Sequence, residues 1–239
     1  MQTHSAIPTS RLQQGPAPIR PSHRNDDAPA SLASLGTVVS IRRGGVVYRE
    51  GDPALNWFRV VSGTACTCKL LPDGRRQIFT FLHTGDFFGF EALGEHGFGA
   101  EALTDLVVIR YSRRHTEALA QADGAVGHRF REIACRSLTA AYERLLTLGR
   151  RTATERVAGF LLELARMAPD GKTITLPMSR CDIGDYLGLT LETISRTFAA
   201  LKHDSLIEMT GAHRVSLLDR PALELMTEGD EPAIRHGNA

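Results

Sequence analysis

Apolar residues come in short runs in the first half of the chain and recur at helical spacing in the second. The runs Val46-Val47-Tyr48, Phe58-Arg59-Val60-Val61 and Gln77-Ile78-Phe79-Thr80-Phe81 favour strands, and glycines separate them at Gly36, Gly44, Gly51, Gly63, Gly74, Gly85 and Gly94. Pro72-Asp73-Gly74 is a turn signal between two such runs. Short strands with regular turns predict a sandwich or jelly roll over residues 31 to 123. Beyond that point the period changes. Phe130, Ala134, Leu138, Ala141, Leu145 and Leu148 follow at intervals of four, four, three, four and three. That is close to a coiled-coil seam and predicts a long helix over residues 124 to 149, although a helix packed on its own domain has the same periodicity. Gly149 is expected to break it and serve as a hinge. Thr152 and Glu155 form a capping box for the next helix, with Val157, Phe160, Leu161 and Leu164 as its buried stripe.

Residues 178 to 201 carry the sharpest functional signal. Ser179 caps a short helix, with Asp182 three residues on at the positive end of its dipole. Ile183 and Leu187 share its buried face, and Gly188 ends it in a left-handed conformation. Thr190 caps a second helix whose apolar stripe is Leu191, Ile194, Phe198 and Leu201. Its opposite face carries Glu192, Ser195, Arg196 and Ala199. Arg donates two bonds to guanine O6 and N7, and Glu accepts from cytosine N4, each contact worth ~1–3 kcal/mol of discrimination. Either residue alone is an ordinary solvated side chain; the pair on a capped helix after a glycine turn predicts a DNA-reading helix-turn-helix. Leu206-Ile207-Glu208-Met209 and Arg214-Val215-Ser216-Leu217-Leu218, around Gly211-Ala212, predict the hairpin of a wing.

Leu187-Gly188-Leu189-Thr190 followed by Glu192-Thr193-Ile194-Ser195-Arg196 resembles the DNA-reading segment of the Crp/Fnr transcription regulators, nearest to the FixK-like subgroup. Three upstream segments extend the likeness: Gly45 to Asp52, Leu70 to Arg76, and Gly85-Asp86-Phe87-Phe88-Gly89. The resemblance covers roughly residues 31 to 220. It implies an α+β fold with an N-terminal cyclic-nucleotide-binding-type β-roll (a jelly roll), a long dimerisation helix and a C-terminal winged helix-turn-helix. It also implies a homodimer joined through Phe130, Ala134, Leu138, Ala141, Leu145 and Leu148. The expected target is double-stranded DNA with a TTGA-type palindrome, its half-sites one helical turn apart. DNA contacts fall to Leu191, Glu192, Ser195 and Arg196, with Ser179, Arg180, Thr190 and Thr193 beside them. The resemblance further implies activation of genes for low-oxygen respiration or nitrogen fixation, through contact with RNA polymerase.

The expected domains are a mobile tail at 1–30, the β-roll at 31–123, the dimer helix and hinge at 124–150, the DNA-binding domain at 151–220 and an acidic tail at 221–239. Net charge is only +1, and residues 151 to 220 hold nine Lys/Arg against nine Asp/Glu, so global charge lends DNA binding no support. No apolar run reaches the ~18 residues of a membrane span, and the N-terminus has no secretory pattern. Four Cys without framework spacing suit a reducing cytoplasm. No nucleophile, metal or phosphate-loop pattern of an enzyme stands in a suitable setting.

Each input known in the family needs particular residues. The cyclic-AMP-responsive members hold the phosphate with an Arg in an Arg-Ser-Ala segment; here that place is Phe98-Gly99-Ala100, so no cyclic nucleotide is expected. No Cys precedes Cys66, which excludes the N-terminal iron–sulfur cluster. Gly89, Phe90 and Glu91 stand where haem-binding members carry Cys and His. The expectation is therefore a regulator without cofactor or metal. Cys66 and Cys68 are expected as two small core residues, since two ligands do not make a zinc site. Cys181 faces away from the core, in a first helical turn beside Arg180, both of which favour a thiolate. Its oxidation is expected to weaken DNA binding, against the alternative of an inert surface thiol. A rival reading makes the β-roll a sensor of an unidentified small molecule, with Phe87, Phe88, Phe90 and Phe98 lining its pocket.

Overall fold

Gly63 shows how the N-terminal half turns its corners. Its φ is 89°, and a Cβ there would stand 2.2 Å from the Asp105 carbonyl oxygen. Only glycine fits. The computed structural model describes residues 35–90 and 94–228. Among them, β1 (Gly36–Ile41), β2 (Val46–Tyr48), β3 (Asn56–Ser62), β4 (Ala65–Leu70), β5 (Arg76–Leu82), β6 (Phe87–Phe88), β7 (Gly99–Ala102) and β8 (Leu106–Ser112) precede the first helix. They form two antiparallel sheets, ordered β1-β8-β3-β6 and β2-β7-β4-β5. The turn at Pro72-Asp73-Gly74 joins β4 to β5, pairing Leu70 with Arg76 and Ala65 with Leu82. Tyr48, Phe58, Val60, Leu82, Phe88, Leu106 and Val108 fill the space between the sheets. This is the expected jelly roll.

The pattern missed α1 (Arg113–Ala122), which lies where strands were expected to continue. Its buried Thr116 accepts a hydrogen bond from Trp57 Nε1 at 2.8 Å, tying the helix to β3. The long helix, α2 (Gly124–Arg150), begins at Asp123, whose side chain accepts from the Ala125 amide at 2.9 Å. Gly149 does not break it. Glycine inside a helix costs only ~1 kcal/mol relative to alanine, and here Arg156 secures the helix end. Its guanidinium donates to the carbonyls of Leu148 (2.8 Å), Arg151 (2.9 Å) and Leu187 (3.0 Å). The expected hinge is thus a stapled corner.

The C-terminal half comprises α3 (Ala153–Met167), β9 (Thr173–Thr175), α4 (Arg180–Leu187), α5 (Leu191–His203), β10 (Ile207–Thr210), β11 (Arg214–Leu217) and α6 (Arg220–Glu228). The Thr152–Glu155 capping box is formed. α3 buries far more than one stripe, adding Ala158, Leu162 and Ala165 to the expected set, because α5, α6 and β9 surround it. The wing has a third strand, order β10-β11-β9, too short for its pattern to show. The acidic tail expected from residue 221 needs correction: through Glu228 it is helix α6, with Leu223 wholly buried against α3. Beside the acidic residues stand Ala222, Leu223 and Met226, which pack on the core. The remainder of that tail, and the one expected at 1–30, lie outside the described residues.

One buried cluster crosses the boundary between the halves. Cys66, Cys68, Ile78 and Phe81 of the β-roll join Phe160, Ile183, Tyr186, Ile194 and Phe198 of the C-terminal domain. No described helix is long and apolar enough to cross a membrane.

Candidate nucleic-acid interface

Two capped helices and a glycine turn build the site. Ser179 Oγ accepts from the Asp182 amide at 3.1 Å, and Asp182 Oδ2 accepts from the Ser179 amide at 2.8 Å, so both orphan donors are satisfied. Gly188 ends α4 with φ of 64°. Gly184 permits the tight approach of the connection, since a Cβ there would lie 2.7 Å from the Leu189 carbonyl oxygen. Thr190 then caps α5, accepting from the Thr193 amide at 3.1 Å; the two hydroxyls lie 2.9 Å apart. Ile194, Thr197, Phe198 and Leu201 are buried, which fixes the rotation of α5.

That rotation turns Leu191, Glu192, Ser195 and Arg196 outward. Leu191 is 49% exposed, and the side chains of Glu192 and Arg196 are 71% and 79% exposed. Arg196 Nη2 and Glu192 Oε1 form an (i, i+4) ion pair at 2.5 Å, a surface contact worth only ~0.3–0.5 kcal/mol and easily exchanged for a base edge. Ser195 Oγ donates to the Leu191 carbonyl at 2.9 Å. Ser179 and Thr190 are exposed and Thr193 half-buried, each engaged in the caps. Arg180 sits differently. Its guanidinium lies 3.4 Å from the Phe198 ring centroid and Nη2 is 3.5 Å from Met209 Sδ. Burial lowers its pKa to about 10. Arg180 therefore packs α4 onto α5 and the wing. Cys181 is exposed on the same helix.

The inner side of α4 is fastened to the β-roll. Arg76 of β5 contacts Asp182 at 2.7 Å and Asp185 at 3.6 Å through Nη1, and Glu101 of β7 at 2.7 Å through Nη2. Gln77 Nε2 donates to the Asp185 carbonyl at 2.6 Å. Burial pushes the Asp182 carboxyl up, but hydrogen bonds from Ser179 and Arg76 outweigh it and hold the group below its ordinary value. Burial leaves Asp185 raised despite Arg76. Tyr186 packs against Phe81 and Phe160 at ring separations of 4.7 and 5.7 Å, and Arg144 of α2 lies 3.3 Å over its ring. The patterning missed Arg76, Gln77 and Arg144 because their partners lie far away in the chain.

Cys66 and Cys68 are buried, as expected of core residues, yet they are not surrounded only by apolar groups. Arg76 Nη2 lies 3.3 Å from Cys66 Sγ. A hydrogen bond between the thiols raises Cys66 and, with Arg76, lowers Cys68 to about 7 against the opposing effect of burial.

The expected dimer seam divides into parts. Phe130 meets the edge of Trp57 at 5.2 Å on its own β-roll, and Leu148 faces Gly188 at the stapled corner. Between them Ala134, Leu138, Ala141 and Leu145 are exposed, with Tyr142 and Leu146, which the heptad pattern omitted, beside them. The four phenylalanines of the sensor reading do not line one pocket. Phe88 is in the β-roll core, Phe87 and Phe90 pack near Trp57, and Phe98 lies against Phe79 with the rings tilted. An open cleft of about 280 Å³ lies elsewhere, lined by Val39, Ile41, Tyr48, Asn56, His96 and Arg110 among others.

Residues 155–226 match the Crp-like helix-turn-helix domain family, and residues 38–123 match the cyclic nucleotide-binding domain family. The chain is 41% identical over 197 residues to the nitrogen fixation regulation protein FixK of Azorhizobium caulinodans, covering 80% of this chain and 79% of that protein. It is 35% identical to the transcriptional activator protein FnrL of Cereibacter sphaeroides, covering 94% and 95%. The solved structure of FixK2 from Bradyrhizobium japonicum superposes with a TM-score of 0.77 at 41% identity, covering 80% of this chain and 97% of that one.

Proposed function

This chain belongs to the Crp/Fnr family of transcription regulators, and from that premise we propose that it binds TTGA-type palindromes as a dimer and activates transcription without a cyclic nucleotide or an iron–sulfur cluster. The observation that carries the reading is the open outer face of α5, where Leu191, Glu192, Ser195 and Arg196 stand exposed on a helix fixed by its buried face. A helix of that kind enters the major groove, and its partner helix crosses the backbone. Ser179, Thr190 and Thr193 then border the phosphates, while Arg180 supports from beneath. The exposed apolar strip of α2 supports pairing with a second copy, which sets the two reading helices against two half-sites. Contact with RNA polymerase completes the role. The name of the Azorhizobium relative supports control of nitrogen-fixation genes and that of the Cereibacter relative supports activation, while control of low-oxygen respiratory genes follows from the family resemblance.

Cys181 is the proposed point of inactivation. It is exposed on the helix that crosses the backbone, and its oxidation beyond the sulfenic state adds fixed negative charge facing phosphates. The test is titration of reduced protein, without added ligand, onto a TTGA-type palindrome and a scrambled duplex at one salt concentration. Specific binding that mild peroxide abolishes, and that persists under peroxide in Cys181→Ser, is the expected result. Specific binding only after a small molecule is added would replace this reading with a ligand-gated β-roll. Peroxide inactivation of the Ser variant would remove Cys181 from the account.

A further inference from the structure

Cys66 and Cys68 stand two residues apart on β4, and Glu101 of β7 pairs with Cys66 across the sheet. The two sulfurs and a Glu101 carboxylate oxygen lie within 4.8 Å of one another. Pairing across the sheet thus supplies the third donor that a Cys-x-Cys spacing lacks by itself. The Glu101 side chain is 39% exposed and that of Arg76 22%, so the donor set opens to solvent on one side although both cysteines are buried.

We propose that Cys66, Cys68 and Glu101 form a site for a thiophilic divalent cation of the zinc class, with water as the fourth ligand. Tetrahedral zinc holds sulfur at about 2.3 Å and carboxylate oxygen at about 2.0–2.2 Å, which places neighbouring donors roughly 3.5–3.8 Å apart. The three atoms, within 4.8 Å of one another, exceed that spacing by no more than about 1 Å. A disulfide is the poorer use of the same pair. Successive same-face positions of a strand lie about 6.6 Å apart at the Cα atoms, near the upper limit for a bridge whose sulfurs must meet at about 2.05 Å.

Arg76 does not block the site. With both thiols protonated, the two thiols and one carboxylate carry a charge of −1. Uptake of the cation with release of two protons leaves two thiolates, one carboxylate and the metal, again −1. The guanidinium therefore keeps its counter-charge. It gives up its contacts with Cys66 and Cys68, and donates to Glu101 and to Asp182 and Asp185 from outside. The cation would thus sit at the joint between the β-roll and α4.

Cadmium is a spectroscopic substitute for zinc, because its thiolate charge-transfer absorption counts the bound sulfurs. The protein to use is the full chain carrying Cys135→Ser and Cys181→Ser, which leaves Cys66 and Cys68 as its only thiols. One equivalent of Cd²⁺ per chain should develop a band of two-thiolate intensity, and Zn²⁺ should abolish it by competition. Glu101→Gln should weaken the binding by about tenfold or more while the two-sulfur band survives at saturation. No band at one equivalent in the parent protein would overturn the site, and so would a band of undiminished intensity after Cys68→Ser alone. An unchanged affinity in Glu101→Gln would overturn the three-donor set.

Discussion

The two helices of the reading unit are built alike and placed differently. Each starts at a hydroxyl cap and each buries a largely apolar face. α4 is held from its inner side: Arg76 and Gln77 hold it from the β-roll, Arg144 covers Tyr186, and Arg156 takes the Leu187 carbonyl. α5 spends its inner face on the core and leaves the outer face open, its ion pair made only within the helix. The difference separates holding from reading. Substitutions on the inner side of α4, and of the residues that hold it, should cost stability. Substitutions on the outer face of α5 should cost DNA recognition and leave stability within about 0.5 kcal/mol.

The largest effect should come from the enclosed side. Ile183 is fully buried, and Ile183→Ala should destabilise the protein by about 2–5 kcal/mol in a denaturant titration. Arg76→Ala should follow at roughly 2–3 kcal/mol, because it leaves Asp182, Asp185 and Glu101 facing one another without their shared cation. A value near zero would show that α4 is held by its apolar contacts alone. Ser179→Ala should cost about 1 kcal/mol by removing one half of the capping box.

The smallest effect sharpens the comparison through pH. Asp182 has a lowered pKa in the folded chain. Its stabilisation is present above the ordinary aspartate value of about 3.9 and is lost as pH falls through the lowered folded value. Asp182→Asn should therefore flatten the acid limb of the stability curve below about pH 4, measured by thermal unfolding across pH. An unchanged limb would assign the acid sensitivity to other carboxylates.

How much of this was legible depended on distance along the chain. The caps at Ser179, Thr190 and Thr152, the turn at Gly188 and the outward face of α5 are local, and local spacing revealed them. The β-roll followed from short runs and regular glycines. Contacts spanning the chain were not legible. Arg76 and Asp182 are separated by 106 positions, and nothing near either announces the other. Glu101 joins Cys66 only through strand pairing. Arg180 is expected beside the DNA contacts from its place in the chain, and the Phe198 ring beneath its guanidinium is not visible there. α1 and α6 were overlooked because each offers only a short amphipathic pattern. The Arg156 guanidinium that secures the helix around Gly149 stands outside the local pattern.

Recognition by the open face of α5 is the central claim, and Arg196 tests it most directly. Wild-type protein and Arg196→Ala should be titrated, at one fixed salt concentration, onto the TTGA-type palindrome, its single-base variants and a scrambled duplex. The account predicts a loss of ~1–3 kcal/mol per half-site on the palindrome, a relaxed preference at one base pair and little change on the scrambled duplex. An equal loss on every duplex would place Arg196 on a phosphate and contradict base reading by this residue, and no loss at all would contradict the interface.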